Sequence, residues 1–180
     1  QRSRLDNKKD LVQRPILWSS PLWFKDKKQS KYNWSQVLIH DKDVFVSKKK
    51  FEYKNIQSLT NLSVILPKGF YYFGVTEMAN ERKLTPIYVH NQRQSLKMII
   101  QGRGDVAIIG HSMLTNLLDN DLKESRDILR ISSKPHDHFY RRILFPKKYS
   151  NQFKAINDQL KKNDNLKRWQ KIIQRYKLDL

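Results

Sequence analysis

The residues that could do chemistry are few and scattered. There is no cysteine in the 180 residues, which removes thiolate nucleophiles, thiolate metal sites and disulfides and leaves the redox compartment open. His136-Asp137-His138 is the one metal-like cluster. Two histidines one residue apart point the same way on a strand, but a closed site needs three or four ligands, so the cluster is expected to be a solvated loop. Ser112 follows His111 directly, and adjacency in sequence does not aim a hydroxyl at an imidazole acceptor. The closest carboxylate pairs, Asp41/Asp43 and Asp119/Asp121, lie in polar connections and read as solvated. The chain has no G-x-S-x-G, H-E-x-x-H, P-loop or G-x-G-x-x-G. A protein with no catalytic residues, no cofactor and no metal is expected.

What remains is binding chemistry. Gly69-Phe70-Tyr71 stands where an apolar run hands over to a helical pattern; exposed N–H groups at a helix start suit an anion, Gly69 allows close backbone approach and Lys68 adds charge. Phe70 suggests stacking. Gly110-His111 closes another apolar run, at the sheet edge where open α/β sheets bind ligands, and a histidine there titrates near neutrality. Trp18 and Trp23 flank Pro21 and either line a ligand cleft or plug a surface.

Several elements must position these residues. Residues 1–35 are polar and punctuated, and read as irregular with at most a short helix. VLIH (37–40) and DVFV (43–46) read as two strands. After Lys48-Lys49-Lys50, LSVIL (62–66) is a strand closed by Pro67-Lys68-Gly69. A helix is expected over 70–82, then a strand over 86–90. Asn91 is a good N-cap for a helix whose Leu96, Ile99 and Ile100 share one face. Gly102 and Gly104 end that helix, and Val106-Ala107-Ile108-Ile109 is a strand buried on both sides. The Arg103-Gly104-Asp105 tripeptide therefore reads as a turn entering the sheet, since an adhesion motif needs a mobile loop tip. A helix around 113–118, strands at 128–131 and 139–145, and two helices striped by Phe153, Ile156, Leu160 and by Leu166, Trp169, Ile173, Tyr176 complete the chain. Alternating strands and helices predict an α/β fold with a mostly parallel sheet and right-handed crossovers.

Composition sets the remaining bounds. The hydrophobic share is 38% with 36 Lys+Arg against 17 Asp+Glu, a formal charge of +19. That is enough apolar material for a core. The basic excess favours polyanions or anionic lipid, although lysines run throughout, from KDKK and SKKK to QLKK, as a biased composition alone would produce. Lys161, Lys162, Lys167, Arg168, Lys171, Arg175 and Lys177 are expected to ring the final helices. A nucleic-acid or polyanion binder, with these helices as its contact and the aromatics of 18–34 as stacking platforms, is the alternative function. No run approaches a membrane span. Starting at Gln1 without a signal peptide, the chain reads as a processed product, an engineered product or a fragment.

The order of these features resembles the type II periplasmic solute-binding proteins, the family-3 group that includes amino-acid receptors of ABC transporters. WSSPL (18–22) is similar to the family's "FS-x-P" element and VFVSK (44–48) to the outgoing crossover. LSVILPKG (62–69) matches the strand–turn–Gly unit that opens the second lobe. LKMIIQGRGDVAII (96–109) matches the helix ending in "GR-x-D", ILFPKKY (143–149) the return crossover, and RWQKIIQRY (168–176) the closing helix. The resemblance covers about 14–177.

It implies a periplasmic-binding-protein-like fold with a partial first lobe and outgoing crossover (1–47), a complete second lobe (48–137), and a return crossover with C-terminal helices on the first lobe (138–180). Members bind a small solute between two lobes by hinge closure, without chemistry, for an ABC permease or a membrane sensor, in the periplasm or outside the cell. The implied ligand residues are Arg14 (or, more weakly, Arg4) for a carboxylate, with Trp18, Lys68, Gly69, Phe70, Tyr71, Gly110 and His111. The chain departs from the pattern where family members carry an ammonium-binding Asp five residues after "GR-x-D"; Gly110 stands there. A standard α-amino acid is thus not the expected ligand, an anionic solute is favoured, and nucleic acid is not the expected partner. The first lobe also lacks its opening strand–helix steps, so a second copy could complete it as a homodimer.

Overall fold

The computed structural model describes residues 12–176; Arg4 and Lys177 lie outside them. In chain order the elements are β1 (Ile16–Ser19), β2 (Asn33–Trp34), β3 (Ile39–Ser47), β4 (Ser63–Pro67), α1 (Val75–Asn80), β5 (Thr85–Val89) and α2 (Gln92–Ile100). They continue with β6 (Val106–Gly110), α3 (His111–Asn116), β7 (Arg130–Ile131), β8 (Asp137–Phe145), α4 (Ser150–Leu160) and α5 (Asn163–Arg175). The chain divides into two compact units, Lys42–His138 and the described residues before and after it. β3 and β8 each begin in one unit and end in the other.

The Lys42–His138 unit is an α/β layer structure with strand order β7-β3-β6-β4-β5. β4 runs parallel to β5 and β6, and β3 runs antiparallel to β6 and β7. The sheet is therefore mixed, with three parallel strands where the βαβ pattern predicted them. The period of two along each strand divides the side chains between two cores. Ile65, Ala107, Ile109, Val44 and Val46 pack with Leu96 and Ile99 of α2 and Leu114 of α3. Val64, Leu66, Val106, Ile108 and Phe45 pack with Val75 and Met78 of α1 and with Tyr53. Burial on both faces explains why VAII is apolar without a break.

The link from α2 to β6 shows how local chemistry sets the path. The Asn91 side chain accepts from Gln94 N–H at 2.9 Å, capping α2 as expected. The helix ends at Gly102, φ +71°, with Gly102 N–H donating to Ile99 O and Arg103 N–H to Met98 O, each at 2.9 Å; this is the Schellman pattern, which needs a left-handed residue. Gly104 follows where a Cβ would sit 2.7 Å from Ile65 Cγ1. Asp105 then ties β6 to β4: its carboxylate accepts from Ser63 N–H at 2.8 Å and Ser63 Oγ–H at 2.6 Å, and its own N–H donates back to Ser63. The Arg-Gly-Asp tripeptide is a turn into a buried strand, and its aspartate is committed inside the unit.

The second unit, 12–41 with 139–176, is built on β8. β1 pairs with it antiparallel through Ile16–Leu144, and β2 through Trp34–Leu144. Tyr32, Trp34 and Leu144 form one core with Phe24 and Ile16. Leu38, Ile143 and Phe145 form another, covered by Phe153, Leu160 and Trp169 of the last two helices. Trp169 Nε1 donates to Leu38 O at 2.7 Å. Residues 26–34 are more ordered than their polarity suggests, because Asp26 organises them. Its Oδ1 accepts from Ser30 and Lys31 N–H at 2.8 and 3.0 Å, and its Oδ2 from Tyr32 N–H at 3.2 Å and Trp34 Nε1 at 2.8 Å. Burial pushes the Asp26 pKa up, but the donors from Trp34, Lys31, Tyr32 and Ser30 outweigh it and hold the carboxyl below the usual range.

Three local expectations are corrected. The two strands over 37–46 are one, β3, because His40 and Lys42 alternate with inward Asp41 and Asp43. Those aspartates are buried, 6% and 1% exposed, and are not the solvated pair expected. The helix expected over 70–82 is only α1, six residues, because Gly74 takes φ +76°, which a helix interior does not accommodate.

Candidate functional site

The strand ends of the Lys42–His138 unit bring several expected residues together. β4 and β6 are paired in parallel through Val64–Val106 and Ile65–Ala107. Lys68-Gly69 follows the end of β4, and Gly110-His111 is the end of β6 and the start of α3, so both pairs lie at the carboxyl ends of paired parallel strands. On the other side Pro67 is paired with Val89, and Lys68 N–H donates to Val89 O at 2.7 Å, so His90 borders the same edge. Across β6, Asp43 of β3 is the register partner of Gly110, and His136 N–H donates to Asp43 O at 2.8 Å. The edge thus reads His90, Lys68-Gly69, Gly110-His111, Asp43: the carboxyl ends of three parallel strands beside an antiparallel one carrying an acid. Carboxyl ends of parallel strands in open sheets are where such folds hold ligands.

The sequence nominated Lys68, Gly69, Gly110 and His111; His90 and Asp43, which border the same edge, were not nominated. His90 ends YVH, a strand parallel to β4, and the rule that nominated Gly110 applies to it equally. Asp43 was concealed by its polar neighbours, which split one strand into two in the pattern.

The turn after β4 differs from the helix-start cradle expected. Gly69 is left-handed, φ +72°, and no helix begins there; the anion argument from a helix N-terminus therefore fails for this turn. Phe70 is half-buried, packs on the Phe45–Tyr53 core and stacks on Tyr72 with centroids 6.1 Å apart. Tyr71 is exposed and its hydroxyl donates to the Glu77 carboxylate. That bond, then burial, raises the Tyr71 pKa. For Glu77, burial raises the pKa, and the bond from Tyr71 with backbone N–H groups brings it below normal. Phe73 is left 78% exposed beside them.

Other expected residues belong to the second unit. Arg14 is exposed just before β1. Trp18 lies on β1 with φ +60°, an uncommon backbone for a bulky residue. Its ring stacks on Trp169 with centroids 6.0 Å apart. Trp23 packs on Phe139 at 5.1 Å, and the Arg141 guanidinium lies over both rings at 5.5 and 5.2 Å. Arg141 also donates through Nε and Nη2 to Asp41 at 2.8 and 2.6 Å and through Nη1 to Trp18 O at 3.4 Å. Both tryptophans are thus engaged in packing within their unit, and the Asp41–Arg141 pair was not visible as a motif because its members are a hundred residues apart.

The His136-Asp137-His138 cluster is not the loop expected. Asp137 and His138 open β8, and the His136 ring lies 3.1 Å from Tyr53 Oη through Nδ1 and edge-on to Phe45. Among the described residues no group of three or more His, Asp or Glu side chains is placed to hold a metal, and no helix is long and apolar enough to cross a membrane.

No family model matches the chain, and no characterised protein matches it by sequence. Solved structures do match. A mutant of ArgBP from T. maritima superposes with TM-score 0.67 at 15% identity, over 84% of this chain and 64% of its own. An ancestral arginine-binding protein bound to arginine gives 0.67 at 14%, over 91% and 71%. The substrate-binding protein of an amino-acid ABC transporter gives 0.65 at 10%, over 91% and 70%. The fold is that of the type II periplasmic solute-binding proteins, as the motif order implied, and the chain spans 64% of the length of the ArgBP structure.

Proposed function

We propose that this chain is a non-enzymatic solute-binding domain that takes a small solute at the strand-end edge formed by Lys68-Gly69 and Gly110-His111, for ABC-type transport or for sensing. The observation that carries this is the parallel pairing of β4 with β6 through Val64–Val106 and Ile65–Ala107, which supports a shared edge for the residues that follow the two strands. The fold supports it, because the proteins it resembles are described as amino-acid-binding. Work at an extracytoplasmic membrane face, with an ABC permease or a membrane sensor as partner, follows from the same reading. On ligand class, the proteins of the same fold are described as amino-acid-binding, so a solute carrying both an amino group and a carboxylate is favoured over a simple anion, with the exposed Lys68 placed to meet the carboxylate.

The test is a thermal-shift screen of amino acids, organic acids, polyamines and sugars, repeated in high salt. A stabilisation of about 2–3 kcal/mol at a hundredfold excess over Kd is expected for the cognate solute. Gly69→Trp should remove that shift while leaving a cooperative melt. A shift that survives Gly69→Trp would put binding elsewhere in the molecule.

A further inference from the structure

The basic residues are not spread evenly. The described part of the second unit, 12–41 with 139–176, carries 16 Lys+Arg against 4 Asp+Glu, whereas Lys42–His138 carries 15 against 10. Within that unit the charge is ordered on α5. Lys167, Lys171 and Arg175 fall at i, i+4 and i+8 with Arg168 beside them, so they share one helix face and do not ring the helix; the one acid on that face is Asp164, in the first turn. All four are exposed, while Ile173 on the opposite side is 5% exposed in the core. Among the described residues, none of the four has an acidic partner within ion-pair distance.

A solvated helix face would account for these cations alone, but not for what runs beside them. Ile172 and Tyr176, at i and i+4, present apolar surface on the neighbouring strip of α5, 41% and 52% exposed. On α4 Ile156 is also 41% exposed. Between the two helices lies a shallow, mostly apolar groove of about 270 Å³ lined by Ala155, Ile156, Gln159, Leu160 and Asn165. Cations and apolar side chains therefore sit side by side on one surface of one helical hairpin.

We infer that the α4–α5 hairpin docks on an anionic phospholipid surface. Lipid headgroups supply phosphates to Lys167, Arg168, Lys171 and Arg175. The interfacial layer beneath them accepts Ile156, Ile172 and Tyr176; tyrosine is favoured at that depth. Nucleic acid would answer the cations only and leave the apolar stripe facing water, which is why the bilayer is the better fit.

Co-sedimentation of the full chain with vesicles tests this. Binding is expected to vesicles of phosphatidylcholine with about 30% phosphatidylglycerol, not to phosphatidylcholine alone, and to weaken as salt rises. Reversing Lys167→Glu, Lys171→Glu and Arg175→Glu together should weaken it at least about a hundredfold with the melt retained. Should that variant not fold, the milder pair Lys171→Gln and Arg175→Gln should still lose about tenfold or more. Ile172→Ser with Tyr176→Ser should lose most of the binding that persists in high salt. The inference is overturned by no binding to the anionic vesicles or by a folded charge variant that binds as well as the parent. It is equally overturned if a short DNA duplex binds more tightly than the vesicles at the same salt, which would assign the surface to nucleic acid.

Discussion

Asp26 is the residue on which the aromatic part of the second unit turns. It is 2% exposed, and three backbone N–H groups and the Trp34 indole converge on its carboxylate. Asp26→Asn keeps the shape but replaces one acceptor with a donor, and a loss of about 2–3 kcal/mol in urea denaturation is expected. The pH dependence follows from the lowered pKa. A carboxyl with a folded value below its unfolded one contributes stability in full above the ordinary aspartate value and loses it as pH falls through the folded value. The gap in stability between parent and Asp26→Asn should therefore close on acidification below the ordinary value, and a constant gap would mean that the charge is not what matters. Asp105, lowered by its bonds from Ser63 and by Lys49 nearby against some burial, obeys the same sign. It is an exposed clamp between β4 and β6, so Asp105→Ala should cost roughly 1 kcal/mol by the same measurement.

At the scale of elements, the βαβ core was legible because each of its signals is local. The Asn91 cap, the Leu96/Ile99 face, the glycine stop and the VAII strand each lie within a few residues. Where several local signals agree they identify an element well. What failed needed distant partners. β3 was divided in the reading because Asp41 and Asp43 look like a polar break until Arg141 and the register with β6 are known. α1 was overextended because the φ of Gly74, which closes Gly74 onto Ile56 at 3.1 Å for an added Cβ, cannot be read from composition. The candidate edge divided the same way: Gly69, Gly110 and His111 could be nominated as strand ends, whereas Asp43 comes level with Gly110 only through pairing. One expectation belongs to this scale. Gly104→Val would drive its branched side chain into Ile65, and a loss of about 2–3 kcal/mol should be seen in thermal or urea melts. Gly102→Ala has open space but a left-handed backbone, and should cost only about 1 kcal/mol.

For the whole molecule, the two units differ in how the chain enters them. Lys42–His138 is continuous and owns two packed clusters. A 42–138 fragment is therefore expected to melt cooperatively by circular dichroism; a non-cooperative trace would show that its cores depend on the remainder. The other unit is made from both ends of the described chain. This bears on the order of events on the ribosome, where the chain emerges at about 5–20 residues per second and folds from its beginning. Trp23 is made long before Phe139, Asp41 before Arg141, and Trp18 before Trp169, the partners they finally pack against. On that order the leading segment can close only its own contacts, Phe24, Tyr32 and Trp34 around Asp26, before those later partners are made. Its four lysines between Lys25 and Lys31 would then favour repulsion between neighbouring chains over association.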